Sequence, residues 1–219
     1  MARAVFGLID VQCGFMPASE GLRLGRPGFG ELAVAEGEVI VPLLNQLNDA
    51  AAASGIAVFT SQDWHPRESA HFAAEPNYTT TWPVHCVADS AGAMLHPELI
   101  LPAGAVTLHK GMEVLRDGAD DTSYSAWNGV TLDGHTLEQY LASQHPQTIY
   151  LAGLALDYCV AHTALDIRHN GGYTVVVIEE ATRPVAPATG VAMRARMVQA
   201  GVSFCTVAEA CARWHRGDV

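Results

Sequence analysis

Six short apolar runs punctuate the chain, and between most of them apolar residues recur every three or four positions. The first run, Val5 to Val11, closes on Asp10-Val11-Gln12 and reads as a strand. Gly14, Pro17 and the glycine-rich stretch Gly21 to Gly30 then read as a long loop. From Glu36 to Ser54, Val39, Leu43, Leu47 and Ala50/Ala51 share one helical face; Gly55 stops the helix and Ile56 to Thr60 is a second strand. Between Ser61 and Ala103 the periodicity disappears and Pro, His and Trp accumulate. A connection of that length inside a compact domain is usually functional. Ala105 to His109 is a third strand delivering Lys110, and Gly111 to Gly134 is a second polar loop.

The second half is more regular. Leu137 to Ser143 is a short helix, Thr148 to Leu156 a fourth strand, and Tyr158 to Asn170 a helix closed by Gly171-Gly172. Thr174 to Ile178 is a fifth strand, Thr189 to Ala200 a helix, Val202 to Thr206 a sixth strand and Val207 to Arg216 a terminal helix. Continuously apolar strands that alternate with helices predict an α/β fold, a doubly wound, six-stranded parallel sheet with helices on both faces. With no internal repeat and no linker, residues 1–219 are read as a single domain. Ligands of such sheets bind beyond the carboxyl ends of the strands, and Asp10, Lys110 and Cys159 all fall at that edge.

Composition narrows the function. A net charge of −11 and a pI near 5.2 argue against nucleic acid or an anionic membrane surface as partner. Five cysteines without disulfide-like spacing, an opening that lacks the features of a signal peptide, and the absence of any transmembrane-length apolar run together predict a cytoplasmic protein.

Two constellations carry chemistry. Asp63, His65, His71 and His85 fall within one irregular segment, and one carboxylate with three imidazoles suits a single divalent transition metal such as zinc, iron or manganese. Asp63 and His65, two apart in extended chain, point to the same side. The second constellation is Asp10, Lys110 and Cys159. An acid, a cation and a thiol at three strand ends suit nucleophilic acyl transfer: Asp10 takes the thiol proton, Lys110 steadies the pair, and Cys159 attacks a carbonyl. Cys159 stands in the first turn of its helix, where free N–H groups favour thiolate and can lower a cysteine pKa to roughly 3.5–7.5. The alternative reading makes it a small buried hydrophobe.

These residues also resemble a known family. Asp10-Val11-Gln12 with Phe15, the set Asp63, His65, His71 and His85 preceded by Trp82-Pro83, Lys110-Gly111, and the run Gly153 to Val160 (Gly-Leu-Ala-Leu-Asp-Tyr-Cys-Val) are similar to the nicotinamidase (pyrazinamidase) branch of the isochorismatase-like hydrolases. The resemblance implies an isochorismatase-like fold and a metal-dependent cysteine amidohydrolase. Nicotinamide, and pyrazinamide with it, would pass through a thioester to the acid and ammonia. It makes Asp10, Lys110 and Cys159 the triad, and the metal, zinc foremost, the ligand of the pyridine nitrogen. Phe15 and Trp82 would flank the ring, though both equally suit hydrophobes that anchor loops, and Tyr124 would close the pocket. The backbone N–H groups of Ala155 and Cys159 would form the oxyanion hole, the first aimed by a cis Leu154-Ala155 peptide. The partner it implies is a small aromatic carboxamide, and it allows a homo-oligomer.

Two departures stand out. The family opening runs closer to Asp-Val-Gln-Asn-Asp-Phe, where this chain has Cys13-Gly14 before Phe15, and the Gly21 to Gly30 segment is enlarged. Cys13 is a rival thiol in sequence but not on a helix N-terminus. Two alternatives remain open: a metal-free cysteine hydrolase of a carbamoyl or ureido amide, and a non-catalytic protein that binds metal or ligand.

Overall fold

The computed structural model describes residues 4–113 and 123–218. Its apolar runs form strands β1 (Ala4–Ile9), β2 (Ala57–Asp63), β3 (Val106–Lys110), β4 (Thr148–Leu154), β5 (Thr174–Arg183) and β6 (Ser203–Cys205). They make one parallel sheet in the order β3-β2-β1-β4-β5-β6. The helices are α1 (Ala18–Leu24), α2 (Ile40–Ala53), α3 (Leu137–Gln144), α4 (Ala161–Asp166), α5 (Pro187–Gln199) and α6 (Val207–Arg216). Among the described residues, no helix is long and apolar enough to cross a membrane.

The strands read as unbroken apolar runs because both faces of the sheet are covered. Along β1, Phe6 and Leu8 join one buried layer with Leu44 and Leu47 of α2 and Trp214 of α6. Val5 and Ile9 join the opposite layer with Leu141 of α3, Ala164 of α4 and Met197 of α5. The Trp214 ring packs against Phe6 and Tyr150 at centroid distances of 5.3 and 5.2 Å. A capping box closes the first turn of α3 at Thr136 and Gln139, and another that of α6 at Thr206 and Glu209.

Several elements differ from the sequence expectations, among them the helix expected over Tyr158 to Asn170, whose regular part is α4 alone, and four of the differences have a clear physical reason. β1 stops at Ile9 because Asp10 adopts a left-handed conformation, φ 48°. β2 runs on to Asp63, whose partner across the ladder is Lys110 of β3, so Asp63 leaves a strand end and not an irregular loop. β5 continues five residues past Ile178, to Arg183, because a bulge between Leu151 and Gly153 shifts the register and lets Gly153 and Leu154 pair with Thr182 and Arg183. The glycine-rich stretch expected as a loop contains α1, ended by Gly25 in the left-handed region and hard to see because its Leu22 is 84% exposed. The second polar loop was expected over Gly111 to Gly134, and its residues 114–122 lie outside the described residues.

Gly153 sets how closely β4 approaches β1 at the sheet's carboxyl edge. It has φ 116°, and a Cβ there would stand 2.1 Å from the Ile9 carbonyl oxygen. Gly153→Ala is therefore expected to lower the free energy of unfolding by at least about 2 kcal/mol, measured by urea denaturation. A variant as stable as the parent would show that the two strands have room to separate.

Candidate active site

The carboxyl edge of the sheet converges on the Lys110 ammonium at the end of β3. Lys110 is almost wholly buried, and its Nζ lies 2.9 Å from Asp10 Oδ2 and also pairs with Asp63 Oδ1. The same nitrogen donates to the Ser123 carbonyl at 2.9 Å and stands 3.4 Å from Cys159 Sγ. Ser61 Oγ donates to Asp10 Oδ1 at 2.7 Å. Asp10, Asp63 and Cys159 each offer an atom within 4.8 Å of the others. The three residues read from the sequence as acid, cation and thiol thus meet at one point, with Asp63 as a fourth member.

Asp63, His65 and His85, all buried, form a second convergence, one ligand atom from each lying within 4.8 Å of the other two. The imidazole tautomers follow from their neighbours. His65 Nδ1 lies 2.9 Å from the Gly111 carbonyl oxygen and His85 Nδ1 lies 2.7 Å from that of Pro83. A carbonyl only accepts, so each Nδ1 carries a proton, and in the neutral imidazole the Nε2 lone pair is then the one free for a ligand. That donor set, two imidazole lone pairs and a carboxylate, fits a divalent metal. His71 lies alongside, its ring 5.8 Å from that of His65, but its Nε2 is 2.7 Å from Ser123 Oγ and it is not one of the three converging groups. Gly111 makes room for His65, since a Cβ there would fall 2.5 Å from the imidazole.

Cys159, Asp63, His65 and His85 face one cleft with a cavity volume of about 40 Å³. Phe15, Trp82, Tyr124 and Tyr158 supply its aromatic walls, and Ala155 and Cys159 its floor. Trp82 Nε1 donates to the Tyr124 hydroxyl at 2.8 Å, and the Trp82 and Tyr158 rings meet edge-on at 5.0 Å. The Leu154-Ala155 peptide is cis. After Ala155 the chain enters a wide helical turn, Leu156–Val160, whose Val160 N–H reaches the Ala155 carbonyl, and Cys159 lies in that turn. Cys13 lies off the cleft, its thiol 3.6 Å from the Leu95 carbonyl and pushed up to about 11 by burial.

A family model, the Isochorismatase domain, matches residues 4–209. The chain belongs to the isochorismatase family. It is 38% identical to a nicotinamidase of Escherichia coli over 196 residues, 82% of this chain and 89% of that protein. A nicotinamidase/pyrazinamidase structure from Acinetobacter baumanii superposes with a TM-score of 0.76 at 31% identity, covering 95% of this chain and 98% of that one. A pyrazinamidase of Pyrococcus horikoshii in complex with zinc gives 0.75 at 26% identity, covering 93% and 99%.

Charge states in this isochorismatase-family site follow from burial and neighbours. Burial works against the Lys110 charge, but Asp10 and Asp63 keep it an ammonium far into the alkaline range. Asp63, against the cost of burial, is held well below the usual carboxylate range by Lys110 and then His65. Burial raises Asp10 in spite of Lys110, and it lowers His85 to about 4. Burial, reinforced by Asp10 and Asp63, outweighs Lys110 and pushes the thiol well above its ordinary value, so a helix N-terminus does not leave it a resting thiolate.

Several contributors were given no role in the sequence reading, although Gln12 stood within its Asp10-Val11-Gln12 motif. Ser61 and the Ser123 carbonyl act only through contacts made by folding. Gln12 brackets Asp63, its Oε1 accepting the Asp63 N–H at 2.8 Å and its Nε2 donating to the Asp63 carbonyl at 2.9 Å. Asp157, two residues before the thiol, is 2% exposed; its carboxylate accepts the N–H groups of Val185 and Ala186 at 2.8 and 3.3 Å and the Thr189 hydroxyl. Tyr158 and Asp157 stood inside the recognised Gly153 to Val160 run, which was the available clue.

Removing the ammonium leaves two buried carboxylates facing each other. Lys110→Met is expected to destabilise the fold by about 3–5 kcal/mol, measured by urea unfolding at neutral pH. A loss below about 1 kcal/mol, the range of a surface pair, would show that Lys110 is not what holds them.

Proposed function

We propose that the protein is a nicotinamidase that hydrolyses nicotinamide to nicotinate and ammonia through a thioester on Cys159, with pyrazinamide as a second substrate. The observation that carries the reading is the meeting of Cys159 Sγ, Asp10 and Lys110 Nζ beside a metal-capable cluster. Identity to a nicotinamidase over most of the chain supports it.

The charge states suit proton transfer. A neutral thiol beside a carboxylate whose basicity is raised by burial can pass its proton to that carboxylate. Asp10 takes the Cys159 proton as the sulfur attacks the carboxamide carbon, and Lys110 offsets the charge that crosses between them. The Ala155 and Cys159 N–H groups receive the oxyanion. The C–N bond breaks as Asp10 returns its proton to the leaving nitrogen, releasing ammonia and leaving a thioester. Water then gives a proton to Asp10 and its oxygen to the acyl carbon; nicotinate departs, and the proton passes back to sulfur.

Asp63, His65 and His85 would hold a divalent metal, with His71 as a fourth member, and that metal when bound supplies a Lewis-acid point for the pyridine nitrogen. Phe15 and Trp82 flank the ring, and Tyr124, braced by Trp82, closes the pocket.

Cys159→Ala should reduce ammonia release from nicotinamide roughly 10⁴-fold or more while leaving metal content unchanged; substantial release from that variant would sink the nucleophile. The pH profile tests the base. Asp10 must be ionised to act, so kcat/KM falls as pH drops through its raised pKa. Ser61 donates to the ionised form and holds that pKa down, so Ser61→Ala should move the acid limb to higher pH. A limb that stays in place or moves lower assigns it to another group.

A further inference from the structure

Glu31 follows the glycine-rich stretch, and its carboxylate occupies space left by two glycines. A Cβ on Gly92 would fall 2.0 Å from Glu31 Oε2, and one on Gly14 would fall 2.9 Å from the same atom. Oε2 accepts the backbone N–H of Cys86 at 2.8 Å. Cys86 is fully buried and directly follows His85. Its carbonyl accepts the His65 N–H at 3.1 Å, so one peptide segment fixes the backbone of both imidazoles. On the other side, Leu32 N–H reaches the Gly14 carbonyl and Val34 N–H that of Phe15, both at 2.9 Å, and Leu32, Val34 and Phe15 line the cleft.

We propose that Glu31 is a positioning residue for the Asp63, His65 and His85 cluster, tying the segment that walls the cleft to the peptide that carries His85 and faces His65. The proposal rests on the reading of that cluster as a metal site. It accounts for the departure at Cys13-Gly14: a side chain at position 14 would compete with the Glu31 carboxylate for the same space. Partners that orient metal ligands from behind affect affinity without touching the metal.

The test compares Glu31→Ala with Glu31→Gln, whose amide oxygen can accept the same N–H. Three readouts are taken: hydrogen exchange at the Cys86 amide, zinc affinity by titration into chelator-treated protein, and KM against kcat for nicotinamide. Glu31→Ala should speed Cys86 exchange, weaken zinc binding about tenfold and raise KM more than it lowers kcat. Glu31→Gln should stay close to the parent in all three. Unchanged zinc affinity and Cys86 exchange in Glu31→Ala would overturn the proposal, as would Glu31→Gln behaving like Glu31→Ala. A parent protein that binds no zinc and releases no ammonia would count against the amidase reading instead, and Cys86 exchange would still decide whether Glu31 holds that peptide.

Discussion

One buried ammonium has to be neutralised, and most of the carboxyl edge of the sheet is built around doing so. Lys110 Nζ sits against Asp10 and Asp63, with the Ser123 carbonyl and the Cys159 sulfur as further neighbours. Charges taken out of water are tolerated only with close partners. The ladder supplies two of them: β1 and β3 lie on either side of β2, and the Asp63 to Lys110 register places one carboxylate opposite the amine. The fourth strand end is that of β4, which lies next to β1 and leads into the turn holding the thiol. The chemistry is therefore tied to strand register.

Two carboxylates on the same amine end up with opposite shifts. Asp63 is lowered, since His65 adds to the pull of Lys110, whereas Asp10, fully buried beside a thiol and another acid, is raised. Environments that separate like groups in this way sort them into roles. The group that stays charged suits an ion or an electrostatic partner, and the group whose pKa is raised suits proton transfer.

Much of this was legible from the chain. Apolar runs alternating with helical spacing implied the parallel sheet, and the positions of Asp10, Lys110 and Cys159 just after three runs implied a shared edge. What escaped was set by tertiary contact. The left-handed turn at Asp10, the bulge that carries β5 past its two exposed glutamates, and α1 with its outward Leu22 have weak local signatures. Helix position is visible in sequence, whereas the burial of Cys159 between two acids, which holds its thiol neutral, is not.

Asp157 gives the site a mechanical character of its own. A single buried carboxylate in the turn that holds Cys159 grips the start of α5 and, through the Val185 amide, a residue lining the cleft. Backbone units joined by buried hydrogen bonds open together or not at all. The turn that holds Cys159 and the start of α5 are thereby tied together, so that a fluctuation which loosens one strains the hydrogen bonds of the other. The placement of Cys159 thus depends on a helix that contributes none of the groups gathered around Lys110.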